Sequence, residues 1–164
     1  MWQDWARREA VHRGQTALDP CKRGGGAAPL SSVSQVPQAA TLRIVITAAN
    51  TLVALMAALH VYILVLEMFL WTSERARRAF GTTPEFAAQS RTLAANQGLY
   101  NGILAAGLVW GLIASDPTGF AAKVFFLGCI AVAGLYGALT ASRRILFVQT
   151  VPALVTLALV LLAR

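Results

Sequence analysis

A chain of 164 residues that is 57% hydrophobic and only 13% charged lies outside the composition range of ordinary soluble domains. We attribute its net charge of +7 to arginines that flank apolar blocks, a bias that orients membrane spans and does not indicate a nucleic-acid site. The composition therefore argues against a soluble fold and makes the lipid bilayer the expected partner.

Residues 1–41 differ in composition from everything that follows them. They combine charged residues, a run of glycines and a Ser/Pro/Gln-rich stretch without a sustained apolar period, which predicts a disordered extension. The abrupt change also favours the interpretation that some or all of this segment reflects an upstream start assignment, although no methionine lies between Met1 and Met56. Cys21 and Cys129 show no spacing typical of a disulfide framework.

Residues 42–164 contain four apolar blocks, at 44–71, 92–115, 124–141 and 145–163. A helix that rises about 1.5 Å per residue crosses the hydrocarbon layer in about 20 residues, which these blocks approach or exceed. The alternating pattern of a membrane barrel strand does not occur in them. The sequence therefore predicts an all-α, integral membrane, four-helix antiparallel bundle.

Basic residues predict the orientation of these spans. The connections after the first and third spans carry more arginines than the opposite side, where Arg43, Lys123 and Arg164 flank the spans. Since cytoplasmic loops are enriched in basic residues, we expect both arginine-bearing loops in the cytoplasm and both termini outside. The cytoplasmic arginines are Arg75, Arg77, Arg78, Arg91, Arg143 and Arg144.

The connections also contain local signals. Thr83, Pro84 and Glu85 predict a helix start, with a hydroxyl cap, proline at the first helical position and an acid near the helix N-terminus. We expect this helix to continue into the second span. Residues 115–119 combine Asp-Pro with glycine, which predicts a tight outer turn.

Small residues in the second span recur at four-residue spacing. Gly98 with Gly102, and Gly107 with Gly111, each form a GxxxG pair, which stacks small residues on one helix face and allows close approach of a second helix. Two interpretations stay open at this point. The glycines serve packing within one chain, or they form a homo-oligomer interface.

Glu67 lies within the longest apolar block, together with His60. A charged residue in a bilayer span costs roughly 3 kcal/mol and usually faces a partner or a cavity. The two residues are seven positions apart, so they share a helix face, separated by about 10 Å along the axis. We therefore consider them candidate ligand-binding residues and, as an acid and a base, candidate catalytic residues.

Further polar residues fall in the cytoplasmic half of the other spans. Most of them lie near the predicted depth of Glu67, whereas Asn101 lies somewhat shallower than His60. They provide either interhelical hydrogen bonds that fix helix register or the lining of a polar site, and both interpretations stay open. The ligand-binding candidates among them are Asn96, Gln97, Asn101 and Gln149. Tyr136 lies at a similar depth and is expected to be a packed or interfacial aromatic residue.

Motifs of the common soluble enzyme classes do not occur. No P-loop, GxSxG, HExxH or CxxC pattern is present, so nucleotide, hydrolase and metalloprotease chemistry have no support. We accordingly predict no cofactor and no metal site.

Three segments resemble a family of small bacterial membrane proteins that carry domain of unknown function 1304. They are HVYILVLEMFLW in the first span, FGTTPEF in the connection, and AANQGLYNGILAAGLVWGL in the second span. The resemblance covers residues 43–164, and it is specific in the first half of that range. It implies a four-span membrane protein without an established activity, and members of the family start shortly before the first span.

Three functions remain open from the sequence. The leading hypothesis is a membrane protein that binds or moves a small molecule or lipid through a polar intramembrane site, as a minimal transporter that works as a homo-oligomer. The second is an intramembrane enzyme with isomerase-like acid/base chemistry on Glu67 and His60. The third is an accessory subunit of a membrane complex.

Overall fold

The computed structural model describes residues 35–164, with side chains described from residue 38 onward. The regular structure in this range is entirely helical, which confirms the predicted all-α class for it. The elements are α1 (Gln35–Met68), α2 (Glu74–Phe80), α3 (Pro84–Gln89), α4 (Arg91–Ile113), α5 (Thr118–Thr140), a π-helical turn (Leu146–Thr150) and α6 (Val151–Leu162).

Helix α1 begins upstream of the first apolar block. Residues 35–41, which the composition assigns to the extension, are helical, because glutamine and alanine propagate a helix that the apolar residues have already nucleated. The rest of the predicted extension, with Cys21, lies outside the described residues. Cys129 is half-buried and is a free thiol.

Two of the described helical stretches are long and apolar enough to cross a membrane by length and composition. They are Gln38–Met68 and Thr118–Thr140, while Leu146–Leu162 forms a shorter apolar stretch. Helix α4 also has 23 residues, but the polar side chains near its start lower its hydropathy. The described residues thus contain two candidate spans by this criterion, fewer than the four predicted blocks.

The four long helices contact one another in a cyclic order. Helices α1 and α5 each pack against both α4 and α6. The shared core contains fully buried side chains from all four helices, among them Val53, Leu108, Leu127, Ile130 and Ala153. The candidate site therefore lies on helices that are held by a single core.

Short capped helices connect α1 to α4. The Ser73 hydroxyl accepts the Ala76 amide proton at the start of α2, and Gly81 ends α2 in the left-handed region with a φ of 69°. The Thr83 hydroxyl accepts from the Phe86 amide at 3.2 Å, immediately before Pro84. The predicted helix start at this position is confirmed.

The prediction that this helix runs unbroken into the second span is wrong. Helix α3 ends at Gln89 and α4 begins at Arg91, with Ser90 between them. The Ser90 hydroxyl donates to the Phe86 carbonyl at 2.6 Å and accepts the indole N–H of Trp71 at 3.0 Å. Side-chain bonds of this kind compete with regular helix geometry, so the break coincides with a contact back to the end of α1.

Replacing Thr83 by alanine is expected to loosen α3 locally, because the Phe86 amide loses its acceptor. Loss of a helix cap costs about 1 kcal/mol, which corresponds to a roughly fivefold faster exchange of the α3 amides with solvent deuterium. Hydrogen exchange followed by mass spectrometry measures this rate. Thr82→Ala is the matched control, because the buried Thr82 hydroxyl has no hydrogen-bond partner. Equal acceleration in both variants would contradict the capping role of Thr83.

A tight turn joins α4 to α5, as the residues at 115–119 predict. Asp116 Oδ1 accepts the Phe120 amide proton at 2.9 Å and so satisfies one of the first free N–H groups of α5. Gly119 lies so close to α4 that an added Cβ would be 2.3 Å from the Ala114 carbonyl oxygen. The turn thus places α4 and α5 in direct backbone contact.

Candidate functional site

Helices α1 and α4 approach closely where two glycines of α4 face α1. A Cβ added at Gly98 would lie 3.0 Å from the backbone N of Met68 and 3.1 Å from the carbonyl oxygen of Leu64. A Cβ added at Gly102 would lie 2.4 Å from Cδ1 of Leu64. This GxxxG pair therefore serves a contact within the chain, and the close approach brings polar side chains of the two helices into hydrogen-bonding range.

Glu67 and Asn101 meet at this contact. Asn101 Nδ2 donates to Glu67 Oε2 at 2.8 Å and to the carbonyl oxygen of Gln97 at 3.1 Å. Both side chains are half-buried. The bond to Gln97, one turn earlier on α4, fixes the orientation of the amide toward α1, so the carboxyl group meets a donor that is already positioned.

The Glu67 carboxyl group has no cationic partner among the described residues. The one ion pair within the described range joins Arg78 to Glu74 on the exposed face of α2. Only Oε2 of Glu67 accepts a hydrogen bond from a described side chain. A partly buried carboxyl group with one satisfied oxygen retains the capacity to bind a donor or a cation, and a group of this kind in an apolar helix is a candidate functional site.

His60 lies two turns before Glu67 on α1 and is fully buried. Its Nδ1 is 2.8 Å from the carbonyl oxygen of Met56, and because a carbonyl only accepts, Nδ1 must carry the proton of this bond. Nε2 is then an acceptor, and it has no hydrogen-bond partner. The structure shows no hydrogen bond between His60 and Glu67, so it does not join the predicted acid and base directly.

The other predicted site residues are not gathered around Glu67. The side chains of Asn96 and Gln97 are exposed on α4, and Gln97 reaches the site only through its backbone carbonyl. Gln149 Nε2 instead donates to the carbonyl oxygen of Ile130 on α5 at 3.3 Å. Tyr136 is 69% exposed on α5 and is therefore not a packed residue of the described structure.

A second polar contact joins α1 and α5 at the end of the helices opposite to Glu67, and it was not predicted from the sequence. Lys123 Nζ on α5 donates to Asn50 Oδ1 on α1 at 3.2 Å, and both residues are half-buried. From its position in the sequence, Lys123 is only a charge near a span end, and Asn50 carries no signal of its own. The feature that could have indicated this contact is the position of Lys123 inside an apolar helix, five residues after the helix begins at Thr118.

Two open grooves on α1 lie away from the Glu67–Asn101 contact. A groove of about 610 Å³ is lined by residues of the first half of α1, among them Arg43, Thr47 and Thr51. A smaller one of about 370 Å³ lies between the start of α1 and Leu162. Neither groove is lined by a carboxyl or imidazole group, so neither contains Glu67 or His60.

The remaining glycines of the predicted small-residue face are also used within the chain. A Cβ added at Gly107 would lie 2.3 Å from the ring of Phe126, and one at Gly111 would lie 2.8 Å from Cγ of Lys123. Both contacts join α4 to α5. The homo-oligomer predicted through these glycines stays a prediction, since the structure contains a single chain.

Residues 35–164 are all-helical, with two helices of membrane-spanning length and composition and a carboxyl–amide pair between the first two long helices. The chain belongs to the family described as "Protein of unknown function (DUF1304)", which matches residues 54–161. This match confirms the resemblance inferred from the sequence. His60, Glu67 and Asn101 fall within the matched range.

The chain is also similar to a curated protein. The chain is 33% identical over 106 residues to "Uncharacterized protein YpaA" of Lactococcus lactis subsp. lactis (strain IL1403), a match that covers 63% of this chain and 88% of the relative. No solved structure matches the chain significantly.

Proposed function

We propose that the chain is an integral membrane protein whose four spans are α1, α4, α5 and the helical stretch 146–162. Only 28% of the most apolar part of α1 and of α5 is buried inside the structure, whereas the core helix of a soluble protein would be mostly buried. Large apolar side chains such as Leu139, at 78% exposed, and Phe147, at 70%, project from the helices. An outer surface of this kind suits lipid and would cause a soluble protein to aggregate.

In this proposal the spans form an antiparallel bundle in the bacterial inner membrane. Gly111 contacts Lys123 and Gly107 contacts Phe126, so α5 runs back along α4 after the turn at residues 114–117. The connection from α1 to α4 and the connection after α5 therefore belong to the same end. Arg75, Arg78 and Arg144 lie in these connections, which supports a cytoplasmic location for that end. Both ends of residues 42–164 are then outside.

The proposed activity is the binding or movement of a small molecule or lipid through a polar site built on Glu67 and Asn101. The observation that carries it is the 2.8 Å bond from Asn101 to Glu67 between two spans. A single carboxyl group is a costly means of fixing helix register, because a neutral amide would form the same bond without the penalty for charge. A role in binding accounts for that cost.

Glu67→Gln tests the site, because the amide oxygen of glutamine still accepts from Asn101 while the acidic group is lost. We expect the purified Glu67→Gln variant in lipid nanodiscs to bind one class of ligand at least about tenfold more weakly than the unaltered protein, because one charge-assisted hydrogen bond is removed. Binding of a lipid and metabolite library, followed by native mass spectrometry, measures this loss.

Glu74→Gln is the matched control, because it makes the same chemical change at a carboxylate exposed outside the spans. It should bind as the unaltered protein does. If Glu67→Gln binds every library member like the unaltered protein and its melting temperature is unchanged, Glu67 has only a structural role and the proposed function is wrong.

Two other functions have one observation each in their favour. The exposed amides of Asn96 and Gln97 favour an accessory subunit whose polar face meets another membrane protein. The buried Nε2 of His60 without a partner favours an intramembrane acid/base enzyme. In the same experiment, a ligand that returns chemically altered indicates the enzyme, whereas co-purification of a second membrane protein that Asn96→Ala abolishes indicates the subunit.

A further inference from the structure

Lys123 is a cation on α5 within the range Thr118–Thr140 that has the length and composition of a membrane span. It belongs to the end of the helices opposite to Glu67. An ionisable side chain inside such a helix needs a partner, a cavity or a route to the interface. The surroundings of Lys123 show which of these the fold provides.

The helix packing leaves space for the lysine stem. A Cβ added at Gly111 of α4 would lie 2.8 Å from Cγ of Lys123 and 3.0 Å from its backbone N. Glycine at this position therefore allows the aliphatic part of the lysine to cross α4. A stem that packs in this way holds the ammonium group in a restricted location, unlike that of a freely mobile surface lysine.

The ammonium group reaches the outer end of α1. The contacts of Gly98 and Gly102 with Leu64 set the register of the antiparallel α1 and α4, which places Asn50 beyond the last residue of α4, Ile113. Asn50 is then about 5 Å farther toward the outer end than Gly111. In the proposed orientation, the Lys123–Asn50 contact lies near the headgroup level of the outer leaflet.

Lys123 has a neutral hydrogen-bond partner. Its Nζ donates to Asn50 Oδ1, which is neutral, and within residues 38–164 no carboxylate forms an ion pair with it. An ammonium group has three N–H donors, so donors remain for an acidic acceptor. A second cation lies at the same end, since the Arg164 guanidinium is 4.5 Å from the ring centroid of Phe120, which lies one turn before Lys123.

We propose that Lys123 and Asn50 form a binding site for a phosphate group at the outer end of the helices. Asn50 positions the ammonium group through its Oδ1, and the remaining donors of Lys123 bind the phosphate oxygens. The phosphate belongs either to an anionic phospholipid or to a free anion. The site is separate from Glu67, and it depends on the proposed function only for the location of this end in the outer leaflet.

The melting temperature of the purified chain tests the site in two arms. In one, nanodiscs of phosphatidylcholine receive increasing fractions of phosphatidylglycerol; in the other, inorganic phosphate replaces chloride in detergent at constant ionic strength. We expect stabilisation in at least one arm. A response to phosphatidylglycerol alone identifies a lipid site, and a response to inorganic phosphate identifies a free anion site.

Asn50→Asp separates a binding site from a simple tether between helices. The new carboxylate keeps the contact with Lys123 and neutralises it, so the fold should remain stable while apparent phosphate affinity falls about ten- to hundredfold. Lys123→Gln should lose the response as well. Arg43→Gln is the control, because it removes an exposed cation from the same end and should respond like the unaltered protein.

The proposal is overturned if neither arm raises the melting temperature of the unaltered protein. It is also overturned if the melting temperature of Asn50→Asp rises as much as that of the unaltered protein. Loss of the response in Arg43→Gln would also overturn it, since the effect would then belong to the general surface charge. None of these outcomes depends on Glu67, so the two sites succeed or fail separately.

Discussion

Replacing Gly119 by alanine is expected to lower the free energy of unfolding by about 1–3 kcal/mol, the range for overpacking a tight contact. The added Cβ would lie 2.3 Å from the Ala114 carbonyl oxygen and 3.1 Å from that of Gly111. Both are backbone atoms, so no side-chain rotation relieves the contact. Helices α4 and α5 must separate at the turn, and the core that they share loses contacts.

Gly128→Ala is the matched control on the same helix. A Cβ added at Gly128 meets no atom within 4 Å, so its effect should be within about 1 kcal/mol and stabilising in sign, because alanine favours helix more than glycine does. Unfolding by sodium dodecyl sulfate in mixed micelles measures both variants. Equal stability of the two would mean that the backbone contact at Gly119 does not exist in the protein.

The elements of this fold are largely predictable from residue patterns that act locally. A block of about 20 consecutive, mostly apolar residues predicts a long helix. The cap at Thr83 and the turn at Asp116 were predictable because side chains satisfy backbone N–H groups only a few residues away. The break at Ser90 was not, since it coincides with a hydrogen bond to Trp71, nineteen positions earlier in the chain.

The polar contacts also divide into features that are evident from the local sequence and features that depend on distant residues. The cost of a carboxyl group in an apolar helix singled out Glu67, but the predicted depths grouped it with Asn96 and Gln97 and placed Asn101 closer to the level of His60. Depth gives no information on which way each helix is rotated, so it also grouped Gln149 with Glu67. The structure shows Gln149 bonded to the Ile130 carbonyl oxygen on α5.

Lys123 shows a different limit. A lysine near a span end is usually an interfacial anchor, so position along the chain gave no reason to pair it with Asn50, 73 residues earlier. The contact depends on Gly111 leaving room for the lysine stem across a third helix. The contact depends on three residues on three different helices, so no spacing within one segment of the sequence predicts that they are close together.

Gly98→Ala is expected to lengthen the Glu67–Asn101 hydrogen bond and to cost about 1 kcal/mol of stability, the low end of the range for overpacking. An added Cβ would meet the backbone N of Met68 at 3.0 Å and the Leu64 carbonyl oxygen at 3.1 Å, so α1 must yield by a few tenths of an ångström. Glu67 lies between these two residues on α1. Its 2.8 Å bond to Asn101 therefore lengthens as the helices separate.

Gly102→Ala, one turn away on the same face, should be milder although its closest contact is shorter. The added Cβ would lie 2.4 Å from Leu64 Cδ1, but the next atom, Cγ, is 3.8 Å away, so rotation of one leucine side chain relieves the contact. The carboxyl stretch of Glu67 in the infrared spectrum, assigned by its absence in Glu67→Gln, reports the hydrogen bond. It should shift in Gly98→Ala and remain in place in Gly102→Ala. The reverse order would show that side-chain contacts, and not the approach of the two backbones, hold Glu67 against Asn101.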